Sequence, residues 1–217
     1  MKEKTKAVIK EILLIRHGQT DFNVQRRFCG STDIELNPRG IAETEALAKR
    51  LAAMQKTPGK ELCYILSSPL LRARRTAEIV GCSIGMAVVT DLRLTELDHG
   101  ELEGEIVEDT RRRNPEVLEN FLQGDCKVPL PGGESMEQVQ TRAWNVVQEL
   151  QSFAPGPRVA LFTHQMVILT IVCKVLGLPV SAWRNMRTDR ASITSIVYSR
   201  GGWVLYKLND SAHIDNP

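Results

Sequence analysis

Residues 12–23 read ILLIRHGQTDFN: four aliphatic residues, Ile12 to Ile15, then Arg16-His17-Gly18, then a polar stretch. Four apolar residues in a row are too few for a helix and fit a strand buried on both faces, as in a parallel sheet. A helix start follows, because Asn37 can cap and Pro38 can take the first helical position. Ile41, Leu47, Ala48 and Leu51 then share one helical face. The alternation repeats. Leu62 to Leu66 reads as a strand, and Ser67-Ser68-Pro69 as a cap leading into a helix from Pro69 to about Val80. Met86 to Val89 is a third short strand. Ser135 and Gln138 form a capping box that opens a long helix through Trp144, Val147 and Leu150, a spacing that means core rather than a cofactor site. Val159 to Phe162 reads as a buried strand, followed by a helix from Val167 to Leu176 that Gly177 and Pro179 end. Ile193 to Tyr198 and Trp203 to Tyr206 flank Arg200-Gly201-Gly202, a hairpin pattern. The expected fold is a three-layer α/β/α sandwich: a mostly parallel sheet with an antiparallel edge.

The stretch from Asp98 to Gly133 breaks this rhythm. It is polar, carries Arg111-Arg112-Arg113 and ends in the Pro/Gly-rich VPLPGG. We read it as a lid inserted in a single domain spanning 1–217, with the arginine run as a solvated face.

Length and composition limit the function classes. The 217 residues suit one domain and can bury a core without staples. A 42% apolar and 25% charged composition is that of a globular chain, and the net charge is only +2. With aromatics at 5%, neither a basic balance nor stacking residues speak for nucleic acid. Five scattered cysteines without a CxxC pair argue against a disulfide framework and a zinc site. The opening MKEKTKAVIK lacks the apolar region of a signal peptide, and no segment has the length of a membrane span, so a cytoplasmic protein with no membrane partner is expected. A homodimer would be ordinary for an α/β enzyme of this size.

In an open parallel sheet, ligands bind beyond the carboxyl ends of the strands. Arg16-His17-Gly18 follow the first strand, Arg72 lies just after the second, Glu96 follows Asp91 to Thr95, and His164 follows the Val159 strand. Two imidazoles, two guanidinium groups and a carboxyl group therefore converge on one edge. Arginines hold phosphoryl groups through paired hydrogen bonds. A histidine kept neutral by nearby cations can attack phosphorus and divide the transfer into two steps. A carboxyl group can protonate the leaving alkoxide and then activate water.

The run RHGQTDFN (16–23) resembles the opening motif of the histidine phosphatase superfamily, phosphoglycerate mutase-like branch. GSTDIELNPRG (30–40), SSPLLRARRTA (67–77), LTELDHGELEG (94–104), PGGES (131–135) and Thr163-His164 resemble its further blocks in the same order. The resemblance implies that His17 is the phosphorylated nucleophile and Glu96 the proton donor. Arg16, Arg72 and His164 complete the phosphate pocket, and Asn23 contacts the same phosphate. Gly18, Thr20 and Gly30 lie in loops lining the site. It implies no metal and no cofactor, since arginines and histidines supply the positive charge. His99 and His213 are expected to be structural, His213 in a frayed tail.

Two departures from the family pattern stand out. Gln165 replaces a common glycine after the second histidine, and Arg190 replaces a small polar residue before Ala191-Ser192. Gln165 is expected to narrow the pocket or reach the substrate. Arg190 is expected at its rim, favouring a substrate with a second anionic group.

The function expected is phosphomonoester hydrolysis on a small phosphorylated metabolite, through a phosphohistidine. It would be a metal-independent histidine acid phosphatase-type enzyme. The alternative is a cofactor-dependent phosphoglycerate mutase, disfavoured by the short lid and the short segment after Trp203. A non-catalytic phospho-ligand module is remote, because no expected catalytic position is degraded.

Overall fold

The computed structural model describes residues 9–153 and 158–214. The basic opening, residues 1–8, lies outside them, as do 154–157 and 215–217. In chain order the elements are β1 (Glu11–Arg16), α1 (Asp21–Gln25), α2 (Pro38–Gln55), β2 (Tyr64–Ser67), α3 (Leu71–Ile84), β3 (Val88–Thr90), α4 (Val107–Arg113), α5 (Pro115–Gln123), α6 (Met136–Phe153), β4 (Arg158–Thr163), α7 (Gln165–Leu176), β5 (Ile193–Ser199) and β6 (Gly202–Asp210). Short 3₁₀ turns sit at Leu92–Leu94, Gly100–Leu102 and Val180–Asn185.

One six-stranded sheet runs β3-β2-β4-β1-β5-β6, with the first four strands parallel and β5 and β6 antiparallel. Alternation along β1 explains the layers. Ile12 and Leu14 pack with Val139, Val147, Val167 and Ile171 of α6 and α7. Leu13 and Ile15 pack on the other face with Leu47, Leu51, Ala77 and Val80 of α2 and α3. Both faces of the strand are buried, which is why it reads as an unbroken aliphatic run. β4 repeats the pattern, with Val159 and Leu161 on one face and Ala160 and Phe162 on the other.

The chain leaves β1 along one face and reaches its neighbour β4 from the other. The β1/β4 boundary is thus the switch point where open α/β sheets form a crevice.

The local signals hold at two helix starts. Asn37 accepts from the Gly40 amide with Pro38 in the first turn, and Ser135 and Gln138 bond each other's backbone at 2.8 and 3.2 Å. Arg200 and Gly201 both have positive φ in the β5–β6 turn, the geometry a two-residue hairpin loop requires.

Three expectations need correction. The third helix starts at Leu71, not Pro69, and its N-cap Leu70 has no side-chain cap. The stretch after Asp98 contains two helices, α4 and α5, that its polar composition conceals. His213 is not in a frayed tail: Nε2 lies 2.9 Å from the Ala191 carbonyl and Nδ1 2.9 Å from the Arg50 guanidinium, itself paired with Asp210. Arg111, Arg112 and Arg113 are exposed on α4 and pair with Glu108 or Glu105. Among the described residues no helix is long and apolar enough to cross a membrane.

Candidate active site

His17 extends the ladder one residue past β1. Its amide donates to the Thr163 carbonyl at the end of β4 (3.1 Å), and its carbonyl accepts from the Ala191 amide (3.1 Å). The chain then presses against the first turn of α2. A Cβ on Gly18 would sit 2.5 Å from the Gly40 carbonyl oxygen, and one on Gly40 would sit 2.1 Å from that of Gln19. Only paired glycines allow this backbone contact. Thr76 of α3 accepts from the Gly18 amide at 3.2 Å, and Glu43 of α2 from the Gln19 amide at 2.9 Å.

This anchoring decides the state of the His17 ring. Nδ1 lies 2.7 Å from the Gly18 carbonyl, which can only accept, so Nδ1 carries the proton and Nε2 the free lone pair. Burial first, then the Arg72 and Arg16 charges, hold the imidazole well below its ordinary 6.5. The His164 ring centroid is 5.2 Å away. Its Nε2 meets Ser68 Oγ at 2.9 Å, and that hydroxyl oxygen also accepts from the Leu70 amide at 3.3 Å. When the Ser68 proton points to His164 Nε2, the ring hydrogen lies on Nδ1. That Nδ1 is buried without a partner among the described residues. Burial, followed by the Arg72 charge, pushes His164 well below 6.5 too.

Arg72, the second residue of α3, is buried and fixed by carbonyls: Nη1 to Thr32 (2.8 Å), Nη2 to Gly30 (2.8 Å) and Cys29 (3.3 Å). Arg16 Nη1 donates to the Thr188 carbonyl at 2.5 Å, and burial draws its guanidinium down to about 10, still protonated at neutral pH. The Nε atoms of both arginines are buried and unpartnered among the described residues. Together with His164 Nδ1, a donor when Ser68 gives its proton to Nε2, they make three uncommitted nitrogens around one neutral imidazole. Orphaned buried donors are costly, and an oxyanion would satisfy all three.

Glu96 lies across this group. Its two carboxylate oxygens accept from the Met166 amide at 3.2 and 3.3 Å, and Oε1 from the Leu97 amide at 2.9 Å. The carboxylate thus rests on the amino terminus of α7, whose N-cap is His164. Arg142 of α6 fixes the approach to it by donating to the carbonyls of Arg93, Thr95 and Glu96 at 2.6–2.9 Å.

Arg16, Asn23, Gln165 and Arg190 line one cleft of about 320 Å³. Thr20 and Asn23 cap each other, Thr20 Oγ1 accepting from the Asn23 amide and Asn23 Oδ1 from the Thr20 amide. Asn23 Oδ1 is therefore engaged and Nδ2 is left to donate. Thr20 is buried, and Gly30 turns its carbonyl to Arg72. His99 is buried beside Phe28 and Phe121, with ring centroids 5.2 and 6.1 Å away. Among the described residues no cluster of three His, Cys, Asp or Glu side chains could hold a metal ion.

Five contributors escape a reading of the sequence. Ser68 orients His164 instead of capping a helix. Arg142 positions Glu96. Glu103 accepts from the amides of Gly30, Ser31 and Thr32 at 2.8–3.3 Å, bracing the loop whose carbonyls grip Arg72. Arg26 and Arg187 join the cleft. The motif blocks contain Ser68 and Glu103, but only the three-dimensional contacts reveal what they do.

Comparison with known proteins finds relatives along nearly the whole chain. A protein described as a probable phosphoglycerate mutase GpmB from Cronobacter sakazakii is 32% identical over 212 residues, covering 95% of this chain and 96% of that protein. A mycobacterial glucosyl-3-phosphoglycerate phosphatase, solved with VO3, superposes with a TM-score of 0.83 at 29% identity, covering 93% of this chain and 99% of the other. YhfR from Bacillus stearothermophilus does so with a TM-score of 0.84 at 30% identity, covering 94% and 98%. The model of the histidine phosphatase superfamily (branch 1) matches residues 12–211, and the chain belongs to that superfamily.

Proposed function

We propose that the chain is a single catalytic domain that hydrolyses small phosphomonoesters through a phosphohistidine, with the segment from Asp98 to Gly133 as its lid. The observation that carries this reading is the His17 ring: Nδ1 tied to the Gly18 carbonyl, Nε2 free, and the uncommitted donors of Arg16, Arg72 and His164 beside it. In the first step the Nε2 lone pair bonds to phosphorus and the bond to the ester oxygen breaks. Glu96 gives that oxygen its proton, and the alcohol leaves. Arg16, Arg72, His164 and the Asn23 amide hold the phosphoryl oxygens throughout. In the second step water attacks phosphorus, the N–P bond breaks with its electrons returning to Nε2, and Glu96 takes the proton from water. Inorganic phosphate is released.

The phosphatase neighbour supports hydrolysis, whereas the curated relative's name favours a phosphoglycerate mutase as the second reading. Phosphate release from an aryl phosphate, with a chelator present, tests the first. Release by the wild type that disappears in His17→Ala, with an acid-labile phosphoenzyme trapped in the wild type, is the expected result. No release, together with turnover of 3-phosphoglycerate that needs a 2,3-bisphosphoglycerate primer, would overturn it in favour of the mutase.

A further inference from the structure

The cleft beside His17 holds more positive charge than one phosphate requires. Arg16, Arg26, Arg27, Arg187 and Arg190 line it, against Asp189 as the one acid. A phosphomonoester dianion balances two charges, and Arg16 with the buried Arg72 already supplies two. The remaining arginines stand at the mouth.

Irregular backbone brings them there. Arg26 ends α1 in the left-handed conformation (φ 54°), a strained position for a residue other than glycine. The kink sends Arg26 and its neighbour Arg27 into the same cleft. Arg27 bonds the neutral Gln25 side chain and the Gly104 carbonyl. Among the described residues no carboxylate pairs with Arg26 or Arg27. Arg187 pairs with Asp189, which is held by Asn209 of β6 at 2.5 and 2.8 Å, so its guanidinium is kept over the mouth. Arg190 Nε faces Glu43 Oε1 at 3.9 Å, beyond hydrogen-bond reach, and has no hydrogen-bond partner among the described residues. Glu43 itself serves the Gln19 amide and Arg39.

We propose that Arg26, Arg187 and Arg190 form a subsite for a second anionic group. The preferred substrate is then a small phosphomonoester that also carries a carboxylate or a second phosphate. This rests on the phosphomonoesterase reading and deepens it. A cleft of about 320 Å³ is at the small end for ligand pockets, which points to a metabolite of a few carbons instead of a phosphoprotein.

The test uses four propyl esters of phosphate that differ only at the far carbon, which carries hydrogen, carboxylate, phosphate or ammonium. For the wild type, kcat/KM for the carboxylate and bisphosphate esters is expected about tenfold above propyl phosphate, the product of two exposed ion pairs, with the ammonium ester below it. The bisphosphate value is halved for its two equivalent ends. In the Arg26→Gln/Arg187→Gln variant the ratio to propyl phosphate should fall to within about twofold of one. Using a ratio within each protein cancels any loss of folded enzyme. The carboxylate and phosphate arms tell which anion the subsite takes. Equal kcat/KM across the wild-type series, or a ratio the double variant leaves intact, would overturn the subsite. Turnover of none of the four would count against the monoesterase reading alone. Calorimetric binding of the same esters would then decide the subsite, tighter anionic esters keeping it and equal affinities removing it.

Discussion

Replacing Glu103 tests whether the loop behind Arg72 is part of the catalytic apparatus. The loop at residues 29–32 is an adapter: its amides face the Glu103 carboxylate and its carbonyls face the Arg72 guanidinium. In Glu103→Ala three amides lose a charged acceptor. Gly30 is buried and is left with an orphaned donor, whereas Ser31 and Thr32 can turn to water. One orphaned buried donor costs about 1–3 kcal/mol and two exchanged bonds about 0.5–1 kcal/mol together, so a loss of roughly 2–4 kcal/mol is expected. For a chain of this size that lowers Tm by ~4–16 °C. Glu103→Gln keeps one carbonyl acceptor but turns an NH2 toward the amides, so about half the loss is expected. Arg72 loses its carbonyl grip in both variants, and kcat/KM for an aryl phosphate should fall about 10- to 100-fold, more in Ala than in Gln. Melting curves and steady-state kinetics on the same preparations decide the matter. A Glu103→Ala protein that melts lower yet keeps kcat/KM within about twofold of wild type would show that the carboxylate supports the fold alone, and would refute the adapter.

Four further outcomes follow from the same geometry. Ser68→Ala removes the hydroxyl that holds His164 Nε2 and should lower kcat about tenfold with little change in KM, measured at saturating aryl phosphate. Arg142→Ala strips three carbonyl contacts from the segment at 93–96 and should cost about 2–4 kcal/mol in urea unfolding together with kcat, whereas a stability loss without a kcat loss would sink its link to Glu96. His17, His99, His164 and His213 all lie below their ordinary 6.5 in the folded state, with burial as the leading cause. Between 6.5 and those lower values the unfolded chain binds more protons, so stability should decline as pH falls from about 7 toward 5. A urea midpoint that stays flat over that range would contradict it. Since the His17 pKa is held well below 6.5, kcat/KM should show no acid limb at 6.5 while the protein stays folded.

What could be read in advance depended on how far apart the interacting residues lie in the chain. β1 and β4 were legible because burial on both faces leaves a plain aliphatic run, and the caps at Asn37 and Ser135 because each is completed within three residues. The start of α3 was misread because Ser68 Oγ, a good local cap, faces the histidine 96 residues on. α4 was hidden because it buries only Thr110, and α5 because Val117, Leu118, Phe121 and Leu122 form an apolar face within a polar stretch. The same rule divides the site. His17, Arg72 and His164 follow strand ends closely, where the topology of a parallel sheet gathers chemistry whatever the loops do. Arg26 and Arg187 reach the cleft through a left-handed kink and an irregular segment before β5, which no periodicity announces. The groups proposed to transfer phosphate are therefore tied to the sheet, while those proposed to choose the substrate sit on irregular backbone that can change without disturbing it. Chains with the same sheet edge can then act on different esters by changing the irregular segments alone.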